Sequence, residues 1–275
     1  MSPSTRAPAK VMLFGEYGVL VGGDALAVPQ RTHHAWCVDA DHDDPRALPA
    51  AVLEDLARHC ESVELLRGAL DLPALRARLA EGANVASDVP PGYGLGSSGA
   101  IVAAVYRAVR RREEHDPATL RELLGRMEDH FHGRSSGIDP LVCHLNKAIH
   151  ASTGGVRVVA DARTIPFELV DTGAPRSTAS LARTFASRMQ NPFYAEEIHD
   201  RYRPLSARCI AAWLRGDLTA LRRDLVELSA SQLRLLDFAI PEHVRAEWRA
   251  CLDQREAVMK LCGAGGGGYL LRFEL

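Results

Sequence analysis

The stretch PPGYGLGSSGA, from Pro90 to Ala100, constrains this chain more than any other. Gly92, Gly94, Gly96 and Gly99 leave the backbone bare, so its N–H groups can approach a ligand without interference from a Cβ. The following residues, SGAIVAAVYRAV (Ser98 to Val109), are small and almost free of polar groups. They predict a helix that starts near Ser97 or Ser98 and is buried on most sides. A helix start adds unpaired N–H groups and the positive end of the helix dipole. Phosphate is the natural ligand for such a loop, and a serine hydroxyl there can reach a Mg²⁺ that bridges two phosphates. A tight turn capped by serine and packed closely on a neighbouring helix explains the same residues without a ligand.

Two familiar glycine signatures do not apply. Gly94, Gly96 and Gly99 satisfy G-x-G-x-x-G, yet the stretch lies deep in the chain and position 119 is Thr, with no acid beside it. A dinucleotide site needs the first strand of its unit before the glycines and an acid about 20 residues after them. The G-x-x-x-x-G-K-[ST] signature fails because no Lys follows. The 33 Lys and Arg against 35 Asp and Glu leave a net charge of -2, which supplies no field for nucleic acid or an anionic membrane. No run reaches the apolar length of a membrane span, and MSPSTRAP at the start lacks a signal-peptide core. The six cysteines form no C-x-x-C pair, so they are expected reduced in a cytoplasmic protein. His33 with His34, and His130 with His132, lack a third ligand at zinc spacing.

Alternating strand and helix patterns in both halves predict an α+β or α/β chain. Strands are expected at Val11 to Phe14, over residues 25–40, at Phe167 to Val170 and at Tyr269 to Phe273. Helical spacing covers 51–59, 72–79 and Pro117 to Glu128, where Leu120, Leu123, Leu124 and Met127 form one face. Further helices are expected near 178–189, 204–215, 218–236 and 241–258. DHDDP (Asp41 to Pro45) reads as a turn, and Gly154 with Gly155 as a change of element and a domain junction.

Three segments in order, AKVMLFGEYGVL (Ala9 to Leu20), PGYGLGSSGA (Pro91 to Ala100) and CGAGGGG (Cys262 to Gly268), resemble the signatures of the GHMP small-molecule kinases. They span nearly the whole chain. The resemblance implies an α+β GHMP kinase fold, with a ribosomal S5 domain 2-like N-terminal domain over 1–155 and a ferredoxin-like C-terminal domain over 156–275. It implies ATP held by Pro91, Gly92, Gly94, Leu95, Gly96, Ser97, Ser98, Gly99 and Ala100, with Mg²⁺ as the second cofactor. HGRSSGID (His132 to Asp139) resembles the mevalonate kinase segment H-G-x-P-S-G-x-D, with Ser135 in the proline position. On that match Asp139 is the catalytic aspartate, Lys10 its neighbouring lysine, and Glu128 and Ser98 the Mg²⁺ ligands. DTGAPRST (Asp171 to Thr178) is similar to a mevalonate kinase stretch whose Arg and Thr line the acceptor site, which carries that role to Arg176 and Thr178.

The implied reaction is transfer of a phosphoryl group from ATP to the 5-hydroxyl of (R)-mevalonate, with Lys10, Glu16, Tyr17, Asp139, Arg176 and Thr178 on the acceptor side. Two departures bear on the acceptor. Tyr17 stands where mevalonate kinases carry His, as in many phosphomevalonate kinases, and Asn146 with Lys147 replaces the usual Gly-Gly after the aspartate. Phosphomevalonate, with Arg134 or Lys147 meeting its phosphate, is therefore the alternative acceptor. A nucleotide or metabolite sensor without turnover is the alternative class. The expected partner is a small-molecule alcohol, with no nucleic acid and no membrane, and room for a homodimer.

Overall fold

The computed structural model describes residues 5–39, 44–159, 166–174 and 178–275, apart from the side chains at 178 and 179. Its first strand, β1 (Ala7–Phe14), is buried on both faces and runs antiparallel to β2 (Ala25–Val38). Three helices follow: α1 (Ala50–Ser62), α2 (Glu64–Ala69) and α3 (Leu72–Ala80). The short β3 (Asn84–Ser87) pairs with the far end of β2 and delivers the chain to the glycine loop. Then come α4 (Ser97–Val109), α5 (Pro117–His132) and α6 (Ile138–Leu145). A hairpin of β4 (Ala148–Ser152) and β5 (Gly155–Val159) completes a five-stranded sheet of order β1-β2-β4-β5, with β3 beside β2. Helix α4 packs on β1, β2, α5 and α6, which accounts for its lack of polar residues: Gly99 through Tyr106 are all buried.

The second half is built on a three-stranded antiparallel sheet. Its first strand is β6 (Phe167–Asp171), and five helices follow: α7 (Thr178–Arg188), α8 (Pro192–Glu196), α9 (Arg203–Arg215), α10 (Leu218–Leu235) and α11 (Arg245–Gln254). Strands β7 (Ala257–Leu261) and β8 (Tyr269–Glu274) close it in the order β6-β8-β7. Buried side chains from both halves join in one hydrophobic cluster.

Two sequence expectations differ from the structure. The junction placed at Gly154-Gly155, hence a boundary between 155 and 156, falls inside the β4–β5 hairpin; the first sheet continues to Val159. The helix expected over 241–258 is shorter. It starts with one 3-10 turn at Glu242–Val244 and stops at Arg255, whose φ of 58° is left-handed. The five residues AVMKL that follow are fully buried and form β7 instead. Between the helices expected near 178–189 and 204–215 the chain also forms α8 and one stretch of π-helix, Glu197–Tyr202. The turn expected at Asp41 to Pro45 lies mostly outside the described residues.

One buried polar cluster joins the two halves. Glu16, 1% exposed, forms an ion pair with Lys260 of β7, which is also 1% exposed. Lys260 also donates to the Leu261 carbonyl. Gln232 of α10 donates to Tyr202 Oη at 3.1 Å and accepts from the Leu261 N–H at 2.9 Å, while Tyr202 Oη donates to the Glu16 carbonyl at 2.9 Å. Burial pushes the Glu16 carboxyl above its ordinary value even though Lys260 pulls it down. Removing one charge from such a pair leaves the other stranded, a far larger loss than replacing both. Lys260→Met is expected to lower unfolding stability by about 3–5 kcal/mol in urea titrations, and the double change Glu16→Gln with Lys260→Met to recover at least half of that. Equal loss in the single and double variants would contradict the pairing.

Candidate active site

Lys10 sits in the middle of β1 with its side chain 4% exposed. Its N–H points away from β2 and donates to the Leu95 carbonyl at 2.9 Å, stitching the glycine loop to the strand. Gly96 ends that loop with a φ of 70°, and a Cβ there would lie 2.8 Å from Lys10 Cε and 2.9 Å from Cγ. Both its backbone angle and the lysine stem therefore demand glycine. The Lys10 ammonium emerges 2.9 Å from Asp139 Oδ2.

Asp139 belongs to the first turn of α6, where an acid is favoured by the helix dipole. The helix start gives it a fixed direction. Gly99 in α4 faces this turn: a Cβ would lie 2.9 Å from Pro140 N and 3.1 Å from Asp139 Cβ. The bare Cα lets the starts of α4 and α6 approach, so the loop, Lys10 and Asp139 meet at one place. The Asp139 side chain remains 31% exposed, which keeps its carboxylate accessible to a ligand.

Ser98, the second residue of α4, donates to Glu128 Oε1 at 2.8 Å. Its Oγ also lies 2.9 Å from His132 Nε2. The Ser135 hydroxyl bonds to Glu128 Oε2, and Ser135 Oγ accepts from the Gly137 N–H at 2.9 Å. Glu128 is 4% exposed, and its carboxyl is raised to about 7. Burial is the largest cause, repulsion from Asp139 adds to it, and the hydroxyls of Ser135 and Ser98 oppose both. A buried carboxylate with two hydroxyl partners beside a second acid is a fitting place for a divalent cation, which would favour the ionised form. Among the described residues, no group of three or more His, Cys, Asp or Glu could hold a metal. A cation at Ser98 and Glu128 would thus take its other ligands from water and phosphate oxygens, as Mg²⁺ commonly does.

The structure separates the remaining expected residues. Glu16 and Tyr17, expected on the acceptor side, are both engaged in the interior. Glu16 is paired with Lys260, and Tyr17, 5% exposed, donates its hydroxyl to the Ala264 carbonyl. The Tyr17 ring packs against Phe185 at 5.0 Å and Phe238 at 5.4 Å between centroids. Tyr17 thereby ties the first glycine segment to the third, and the third supports the central loop through the Tyr269 N–H to Tyr93 carbonyl bond of 3.1 Å. Arg176 and the side chain of Thr178 lie outside the described residues. Arg134 borders a cleft of about 320 Å³ together with Arg121, Arg126, Ser135 and Ser136, and Lys147 is exposed after α6.

His132, Ser135 and Lys260 contribute contacts that sequence reasoning did not assign. His132 follows Glu128 by four residues, one turn along the same helix face, so helical spacing held that signal. Lys260 lies 244 residues from Glu16 and carried none.

The chain is similar to known proteins in ways that bear on this geometry. Residues 52–147, which include the glycine loop, Ser98, Glu128 and Asp139, match the GHMP kinases N terminal domain. A mevalonate kinase of Archaeoglobus fulgidus is 26% identical over 277 residues, covering 96% of this chain and 89% of that protein. The crystal structure of L. major mevalonate kinase in complex with R-mevalonate superposes with a TM-score of 0.73 at 20% identity, covering 99% of this chain and 87% of that one. Streptococcus pneumoniae phosphomevalonate kinase, in complex with phosphomevalonate and AMPPNP, gives 0.67 at 18% identity, covering 98% and 91%. No described helix is long and apolar enough to cross a membrane.

The raised Glu128 carboxyl makes stability depend on pH in a definite direction. Between the ordinary carboxylate value and about 7, folded Glu128 keeps a proton that the unfolded chain has lost. Its contribution to stability is therefore present at low pH and lost as pH rises through about 7. In metal-free buffer, Glu128→Gln is expected to gain on the wild type by on the order of 2 kcal/mol between pH 5 and pH 8. A difference in unfolding free energy that stays flat over that range would contradict the assignment.

Proposed function

We propose, from the premise that this chain belongs to the GHMP kinase family and is an ATP-dependent small-molecule kinase of the mevalonate-pathway type, that it phosphorylates the 5-hydroxyl of (R)-mevalonate to give 5-phosphomevalonate and ADP. The observation that carries the chemistry is the Lys10–Asp139 pair at 2.9 Å beside the start of α4. Asp139, partly exposed, receives the hydrogen bond of the acceptor hydroxyl and takes its proton as the oxygen bonds to the γ-phosphorus. The bond from that phosphorus to the bridging oxygen breaks, and ADP carries the electron pair away. Lys10 orients the carboxylate from one side and adds positive charge where the transferring group gathers negative charge.

The loop from Pro91 to Ala100 holds the phosphates through its backbone N–H groups and the helix start, with Gly96 and Gly99 shaping its path. Ser98 and Glu128 would hold Mg²⁺, which would supply positive charge against the phosphates. Arg176 and Thr178 are assigned to the acceptor from their segment; the Arg176 guanidinium suits a carboxylate through its planar fork. Glu16 and Tyr17 act on the acceptor side only by holding the first segment against the second half. The sensor alternative is disfavoured by Lys10, Glu128 and Asp139 standing together in a working arrangement.

Mevalonate rests on the two segments ending at Asp139 and Thr178 and on the similarity to mevalonate kinases over most of the chain. Phosphomevalonate is the second reading, favoured by Tyr17 and by the arginines around the cleft at Arg134. An ADP-release assay with mevalonate, 5-phosphomevalonate, homoserine and galactose, followed by mass analysis of the product, separates them. The expected preference is for mevalonate; a preference for 5-phosphomevalonate above about tenfold in kcat/KM, roughly 1.4 kcal/mol of discrimination, would reverse the choice. Asp139→Asn is expected to cut turnover by about 10²-fold or more while ATP affinity changes little. A variant within about threefold of wild type would remove Asp139 from the reaction.

A further inference from the structure

We propose that His132 is a positioning residue for the nucleotide-bound cation, acting through the Ser98 hydroxyl. The proposal rests on the kinase reading above and adds a residue to it. His132 is the last residue of α5, and the chain turns away at once through Gly133, whose N–H closes the helix on the Asp129 carbonyl at 2.7 Å. The imidazole is thus held one turn beyond Glu128 and directed at the same hydroxyl.

Ser98 Oγ has one proton and two lone pairs. Its proton goes to Glu128 Oε1 at 2.8 Å when that carboxylate is ionised, the form that binds a cation. The 2.9 Å contact to His132 Nε2 then requires the ring to donate, Nε2–H to the Ser98 oxygen. One lone pair remains, and the two other directions around the oxygen are occupied. A hydroxyl held by only one partner rotates about its C–O bond; one held by two presents the last lone pair in a fixed direction. Glu128 is secured in the same manner, by Ser98 on one oxygen and Ser135 on the other. Ser98 and Glu128 are therefore ordered before any cation arrives, and His132 is the outermost member of that chain.

His132 is exposed, which separates this role from packing. An exposed hydrogen bond adds little to folding, while an oriented ligand lowers the cost of assembling a coordination shell. The effect of losing the ring should appear in cation-dependent nucleotide binding and not in stability or acceptor affinity.

Calorimetric titration of ATP with and without Mg²⁺ into wild type, His132→Ala and His132→Gln tests this. Wild type is expected to bind ATP more tightly with Mg²⁺. In His132→Ala that enhancement should fall at least fivefold, with Mg²⁺-free ATP affinity, the KM of the acceptor and the melting temperature close to wild type. His132→Gln, whose side-chain amide can still donate, should recover most of the loss. An unchanged enhancement in the alanine variant overturns the proposal, as does a glutamine variant no better than alanine. Equal weakening with and without Mg²⁺ overturns it too, by assigning the ring to phosphate. Absence of Mg²⁺ enhancement in wild type would remove the cation role itself, whereas a normal wild-type response beside an unaffected variant removes His132 alone.

Discussion

The approach of α4 to α6 at Gly99 is the constraint on which the rest of the site depends. A side chain at 99 would push on the backbone of Asp139 and Pro140 and part the two helix starts. With it absent, one short region holds the N–H groups of α4, the Ser98 hydroxyl, the acid at the start of α6 and the lysine of β1. Gly96 performs the matching service one turn earlier, where the Lys10 stem runs beneath the loop. The glycines thus do two kinds of work. Some expose backbone to a ligand, and these two let chain segments come close enough for the charged groups to meet.

That double duty explains how much of the site was legible in the sequence. The glycine loop, the buried α4 and the apolar face of α5 follow from local rules, because a bare backbone and a 3.6-residue period are visible in one segment. Roles for Lys10, Ser98, Glu128 and Asp139 come only through the resemblance; the fold pairs Lys10 with Asp139 and Ser98 with Glu128. Residue type alone makes each of them ordinary. Distances of 2.9 Å between Lys10 and Asp139 and 2.8 Å between Ser98 and Glu128 place them in two bonded pairs instead.

What local sequence leaves out is contact with residues distant along the chain. The resemblance implies Glu16 on the acceptor side; its ion-pair partner, Lys260, is supplied from β7. The helix expected to 258 takes in the first two residues of β7, since AVMKL has no period that distinguishes a buried strand from a buried helix turn. The pair Gly154 and Gly155 marks a change of direction equally well in a hairpin and at a domain edge, and here the hairpin holds. Such features are decided by what packs against them.

The two acids of the site are kept apart in function by their surroundings. Asp139 has an ammonium at its side and an open face, so its charge is matched while its carboxylate can meet an alcohol. Glu128 is buried among hydroxyls and feels Asp139 as a repelling neighbour, which raises its carboxyl to about 7. The raised carboxyl keeps its proton at pH values where an ordinary acid has lost it, so burial and repulsion reduce the charge that Glu128 carries. The acids differ because one is covered and the other is not: α5 turns Glu128 inward, whereas Asp139, in the otherwise buried first turn of α6, keeps a side chain 31% exposed.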